Sequence, residues 1–109
     1  MNFLSLESLE AALGDEITTL AYMKAIKNNP QLFNRKIVLH LTTGTNCAYS
    51  IFAAQAGAQK VYCVINGHGD TDQKNIYMMQ KIVEENGLQE IVEVLSFRNF
   101  NCQVDVIIG

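Results

Sequence analysis

The sequence lacks any long apolar run. Its longest uninterrupted stretch is the five residues from Val61 to Ile65, against the roughly 20 that a membrane-spanning helix needs, so no membrane span is expected. A basic run is missing as well. Eight Lys and Arg against eleven Asp and Glu give a net charge of −3, and without a row of cations to neutralise phosphates, nucleic-acid binding is not expected. The N-terminus carries Glu7 and Glu10 inside an amphipathic pattern, with neither the charged leader nor the continuous apolar stretch of a signal peptide. Cysteine is scarce: Cys47, Cys63 and Cys102 are odd in number and far apart. They offer no disulfide framework and fit a reducing compartment, cytoplasmic and/or nuclear. Proline occurs once, at Pro30, and no repeat, low-complexity tract or Gly/Pro-rich linker divides the chain. What is there is 109 residues, 49% of them hydrophobic, enough for one core and one structural unit.

The pattern changes once along that unit. In residues 1–35, Leu4, Leu6, Leu9 and Leu13, and after Gly14 Ile17, Leu20, Ala21 and Ile26, recur near helical spacing, which predicts an N-terminal helical segment. Asn28-Asn29-Pro30 punctuates it, and Leu32 and Phe33 are expected to tuck under a sheet. In residues 36–109, short β-rich runs alternate with helical ones. Ile37 to Leu41, Val61 to Ile65, Ile91 to Leu95 and Val104 to Ile108 are near-continuous apolar runs, the mark of strands covered on both faces. A helix over Ala48 to Ala54, stopped by Gly57, separates the first two. Asp70 and Gln73 offer a capping box for a second helix, with Ile76, Met79, Ile82 and Val83 on one face and Gly87 closing it. Strand, helix, strand, helix, strand predicts an α/β fold with a parallel sheet and right-handed crossovers.

Ligands of open α/β sheets bind beyond the carboxyl ends of the strands. The turn there, Thr42-Thr43-Gly44-Thr45-Asn46, holds one glycine where a dinucleotide fingerprint needs three, and it lacks the Gly-Lys-Ser/Thr of a phosphate loop. Taken alone it reads as a tight turn. His40, just before it, reads as a base or as a core-edge histidine, and the absence of a carboxylate or nucleophile nearby in sequence favours the second. Asn66-Gly67-His68-Gly69-Asp70 places two metal-ligand types in a glycine-rich loop, yet no Cys or second His follows at ligand spacing. An exposed loop is the better account, and no metal is expected. Cys63, in mid-strand, reads as inert, whereas Cys47 at a helix start is the thiol with prospects of a lowered pKa. Met78 and Met79 read as core fillers rather than cofactor ligands. Asp105 alternates with Val104 and Val106, either as a structural residue or as an edge charge.

A longer window carries more. Lys36-Ile37-Val38-Leu39-His40-Leu41-Thr42-Thr43-Gly44-Thr45, followed by Phe52-Ala53-Ala54-Gln55-Ala56-Gly57-Ala58 and Val61, resembles the cofactor-binding half of the protein arginine methyltransferases. That family typically reads K-x-V-L-D-x-G-x-G-T-G, then F-A-A-x-A-G-A-x-x-V. Upstream, Asp15 to Tyr22 resembles its D-x-x-R-T-x-x-Y segment; downstream, Asn86-Gly87-Leu88 and Val104-Asp105-Val106-Ile107-Ile108 resemble its N-x-L helix end and V-D-x-I-I strand. The resemblance implies a Rossmann-type partial parallel sheet of strand order 3-2-1-4 behind the N-terminal helical segment, and S-adenosyl-L-methionine as the family's cofactor. In that order the chain crosses about 14 Å of sheet between Leu95 and Val104 and returns about 17 Å along it. The connection is therefore expected to be nearly extended, without a helix.

The departures fall on the positions that the resemblance gives to the cofactor. Thr18 matches the arginine that pairs with the cofactor carboxylate, and a hydroxyl supplies no bidentate cationic clamp. His40 matches an aspartate, Thr42 and Asn46 match glycines that admit a close backbone approach, and Ile65 matches the acidic acceptor of the ribose. Gly44 and Thr45 are the residual cofactor-binding residues. The sequence stops at Gly109, before the loop whose paired glutamates, by resemblance, hold the substrate guanidinium. Without it a donor and a nitrogen are not held in line. The reading is a truncated, degenerate arginine methyltransferase-like domain, non-catalytic, with no catalytic residue assigned and no cofactor expected, S-adenosyl-L-methionine being the group if the site is retained. It would act through a protein partner or through self-association at the Val104–Ile108 edge strand, where unpaired backbone is a template for strand addition. The alternatives are a methyltransferase active only with a partner subunit, or a fragment without biochemical role.

Overall fold

A computed structural model describes residues 17, 20–42, 47–65 and 71–109, the side chains of residues 71 and 72 excepted. Residues 20–28 form helix α1. A 3₁₀ turn, Pro30–Leu32, leads into strand β1 (Ile37–Thr42), helix α2 (Ala48–Gln55), strand β2 (Lys60–Ile65), helix α3 (Thr71–Glu85), strand β3 (Val92–Ser96), a second 3₁₀ turn (Phe97–Asn99) and strand β4 (Val106–Ile108). The four strands make one sheet of order β3-β2-β1-β4, parallel throughout. That is the order and direction the resemblance implies.

Local chemistry sets the boundaries. The Asn29 side chain donates to the Ala25 carbonyl at 2.8 Å, filling an acceptor that the end of α1 leaves open, and Pro30 then starts the 3₁₀ turn. Phe33 is buried but Leu32 is 55% exposed. Only one of the two tucks under the sheet, because neighbours in a 3₁₀ turn project a third of a turn apart. Helix α2 ends with Gly57 at φ 100°, its N–H bonded to the Ala54 carbonyl and the Ala58 N–H to the Ala53 carbonyl. Helix α3 repeats the arrangement: Gly87 at φ 69° bonds Glu84, and Leu88 bonds Val83. Both are Schellman caps, which need a residue in the left-handed region. Met79 and Val83 of α3 are buried, whereas Met78 is 53% exposed. Adjacent helical residues point about 100° apart, so only one of the two methionines fills the core.

Strand register divides the sheet into two faces. Val38 and His40 lie level with Val61 and Cys63 of β2, which lie level with Val92 and Val94 of β3. With Ile26, Ile51, Ala53, Met79 and Val83 from the helices, these residues form the core. On the other face Leu39 and Val64 are buried, but Leu41 and Ile107 are exposed. There the β3–β4 crossover runs over the sheet, and the Phe100 ring meets Tyr62 edge-on at 5.5 Å. Two expectations are corrected here. The last strand is Val106–Ile108, not Val104 to Ile108, because Asp105 bends the chain. Its N–H donates to the Ile37 carbonyl at 2.7 Å, while its carboxylate accepts the Ile37 N–H at 2.9 Å. The later start also shortens the return path, so the crossover accommodates the turn Phe97–Asn99 instead of running extended from end to end.

Candidate functional site

The strand order reverses direction at β1, which has β2 on one side and β4 on the other. In open α/β sheets that switch point marks the ligand crevice, beyond the carboxyl ends of the strands. Thr42 ends β1 there, and Cys47 precedes the first residue of α2. Gly44 and Thr45 fall outside the described residues, as do Thr18, Asn46 and the loop with His68 and Asp70. Ile65, at the end of β2, is 1% exposed. Its aliphatic side chain offers no acceptor where the resemblance places one for a ribose.

Just beneath the crevice the fold assembles a polar cluster. Pleating turns His40 toward the helices, level with Cys63 on β2, and α2 presents Ser50 from the same stripe as Ile51, Ala53 and Ala54. His40 Nδ1 and Ser50 Oγ lie 2.7 Å apart, and the Cys63 sulfur is 3.8 Å from the same nitrogen. Tyr49 tilts over His40 at 5.4 Å between ring centroids, and Tyr22 of α1 stacks on Tyr49 at 4.3 Å and 13°. This stack ties α1 to the start of α2.

Burial sets the protonation of the cluster. Desolvation lowers His40 to about 4 and raises Cys63 to about 12, so at neutral pH the imidazole is uncharged and the thiol protonated. Burial likewise pushes the Cys47 thiol up. That reverses the expectation of a lowered value: the side chain is enclosed, and desolvation outweighs the hydrogen bond that favours the thiolate. A neutral histidine between a hydroxyl and a thiol, with no carboxylate on it among the described residues, is a satisfied core group rather than an activated base. Sequence reasoning missed Ser50. The available signal was a hydroxyl on the inward stripe of α2, which burial obliges to find a partner.

Among the described residues, no group of three His, Cys, Asp or Glu side chains is placed to hold a metal, and no helix is long and apolar enough to cross a membrane. A shallow groove of about 280 Å³ lies at the β3 edge, lined by residues of α3, β2 and β3, away from the crevice.

No family model matches the chain. In sequence it is similar to protein arginine N-methyltransferase 1 of Dictyostelium discoideum, 38% identical over 86 residues that make up 79% of this chain and 23% of that protein. In fold it is similar to Arabidopsis thaliana protein arginine methyltransferase 10, with a TM-score of 0.72 and 33% identity, covering 94% of this chain and 29% of that one. The Trypanosoma brucei protein arginine methyltransferase 1 enzyme–prozyme heterotetrameric complex with AdoHcy gives a TM-score of 0.72 at 30% identity, over 87% of this chain and 29% of that one. The chain spans about a quarter of the length of the relatives it matches.

Proposed function

The chain belongs to the protein arginine methyltransferase family, and from that footing we propose that it is a non-catalytic domain of that family, acting through contact with other proteins. The observation that carries the reading is Ile65, 1% exposed at the end of β2, in place of the ribose acceptor. Thr18 in place of the carboxylate-binding arginine points the same way. Each lost contact is a charge-assisted hydrogen bond worth about 1.5–3 kcal/mol, so together they weaken S-adenosyl-L-methionine binding by roughly two to four decades. Calorimetric titration of the purified chain with S-adenosyl-L-methionine is expected to give no low-micromolar binding. Micromolar affinity accompanied by methyl transfer to an arginine-rich peptide overturns the reading.

A second reading draws on the trypanosomal relative, which is an enzyme–prozyme heterotetramer. Here the chain would serve as one partner of a methyltransferase and raise the activity of a full-length relative mixed with it. The β4 edge is the surface we assign to protein contact in either reading, with Ile107 65% exposed on it.

A further inference from the structure

The sheet has a second edge, and its backbone is better prepared for a ligand than that of β4. The Val61 N–H donates to the Ile91 carbonyl at 2.9 Å, and Val61 lies level with Val92. In a parallel ladder this turns the N–H and C=O groups of alternate residues outward: those of Val92, Val94 and Ser96. The Val92 N–H is taken by the Leu88 carbonyl. The carbonyl of Val92, both groups of Val94 and the N–H of Ser96 therefore face away from β2, and no described residue pairs with them. An antiparallel segment laid here with one residue opposite Val94 exchanges two hydrogen bonds with it, donates to Val92 and accepts from Ser96. On β4 the corresponding count is smaller. Ile37 sends both its groups to Asp105, so Leu39 also faces β4 and bonds the residues flanking its level partner Ile107. Ile107 alone turns outward within that strand.

Beside this edge runs the groove of about 280 Å³, with Gln80 and Glu84 of α3 as one wall, Val83, Val92 and Val94 as its floor, and Glu93 at the lip. The one cation among its described lining residues, Lys60, is drawn over the Tyr62 ring, 5.8 Å from the centroid. A strand added to β3 points alternate side chains to the two faces of the sheet. On the groove side they meet Glu84, and on the other face the residue opposite Glu93 meets that carboxylate directly. A second copy of the chain is a poor occupant. Antiparallel pairing centred on Glu93 or on Val94 sets Glu93 against Glu93 or against Leu95 of its mate, and like or unmatched charge across a pair is unfavourable.

We propose that the β3 edge and its groove form a docking site for an extended, basic peptide segment, held by strand addition and by Glu84 and Glu93. The site lies apart from the crevice at the ends of β1 and β2, so it stands or falls independently of the cofactor reading.

The test uses a synthetic peptide in which pairs of arginines alternate with pairs of valines, so that both faces of the added strand carry arginine, with a glutamate-for-arginine peptide as its counterpart, titrated into the purified chain by calorimetry. Hydrogen exchange is followed in parallel. The arginine peptide is expected to bind, to slow exchange of the Val94 and Ser96 amides, and to lose about tenfold in affinity with Glu84→Lys or Glu93→Lys. Both glutamates are exposed, so these variants keep the fold; Met78→Lys, elsewhere on α3, is expected to change nothing. Equal binding of the glutamate peptide, binding that leaves Val94 and Ser96 unprotected, or no binding up to about 1 mM overturns the proposal.

Discussion

His40 concentrates what single residues do in this chain. Its ring is buried and desolvation holds it at about 4, below its ordinary 6.5. Between those values the unfolded chain takes up a proton that the folded chain refuses, so stability is complete above pH 6.5 and falls as the pH is lowered toward 4. The difference corresponds to about 3 kcal/mol. Unfolding midpoints in urea, measured from pH 7 to pH 4, are expected to fall more steeply for the natural chain than for His40→Asn, which keeps a polar partner for Ser50 but does not titrate. Parallel curves would show that His40 is protonated in the folded state. Ser50→Ala strands the imidazole nitrogen 2.7 Å from a missing hydroxyl, and a loss of about 1–3 kcal/mol is expected at neutral pH. None of this was legible from the spacing of His40 and Ser50. Their ten-residue separation becomes a contact only once α2 packs back over β1, and nothing in the sequence around His40 singles out Ser50 over the nearer hydroxyls of Thr42 and Thr43. The structural character of His40 was legible, because no carboxylate stands near it in sequence.

At the scale of elements, punctuation was readable and strand ends were not. Gly57 and Gly87 were expected to stop the two helices, and both hold positive φ in Schellman caps. Their surroundings differ. A Cβ on Gly57 would come within 2.7 Å of the Asn34 side-chain oxygen, whereas one on Gly87 meets nothing within 4 Å. Gly87→Ala is therefore expected to cost only the left-handed backbone penalty, about 1–2 kcal/mol. Gly57→Ala should cost more, since φ 100° lies outside the left-handed well that 69° falls in and the Asn34 side chain must also turn aside. Thermal unfolding of the two variants side by side reads the difference, and equal losses would mean that the backbone at residue 57 relaxes into the left-handed well and Asn34 yields freely. The start of β4 was misplaced by two residues because Val104 and Val106 look alike in an apolar run. What separates them is Asp105, whose carboxylate reaches back to the Ile37 N–H, a contact between residues 68 apart in sequence. Asp105→Ala is expected to cost about 1–2 kcal/mol and to speed amide exchange in Val106–Ile108. Asp105→Asn, which keeps an acceptor, should cost less.

For the molecule as a whole, strand order was implied by resemblance and parallel pairing by the alternation of apolar runs, since only covered strands read as near-continuous. Coverage is nevertheless uneven. The helices pack over one face, while on the other the crossover reaches Tyr62 through Phe100 and leaves Leu41 38% and Ile107 65% exposed. The two sheet edges differ in character accordingly. The β3 edge carries the charged Glu93 beside a groove, the kind of feature that discourages pairing with copies of itself. The β4 edge carries no charge within Val106–Ile108, and the Asp105 carboxylate that precedes it is turned inward onto Ile37. Association through β4, as proposed, would rest on apolar contact at Ile107 more than on backbone pairing, and it would stabilise the folded chain by mass action. The thermal midpoint of the natural chain is expected to rise with protein concentration, with light scattering showing a species larger than a monomer. In Ile107→Lys, which alters a side chain outside the core, the midpoint should become independent of concentration. A natural chain that stays monomeric with a constant midpoint would take β4 out of the interaction reading. The β3 groove would then be the surface left to test.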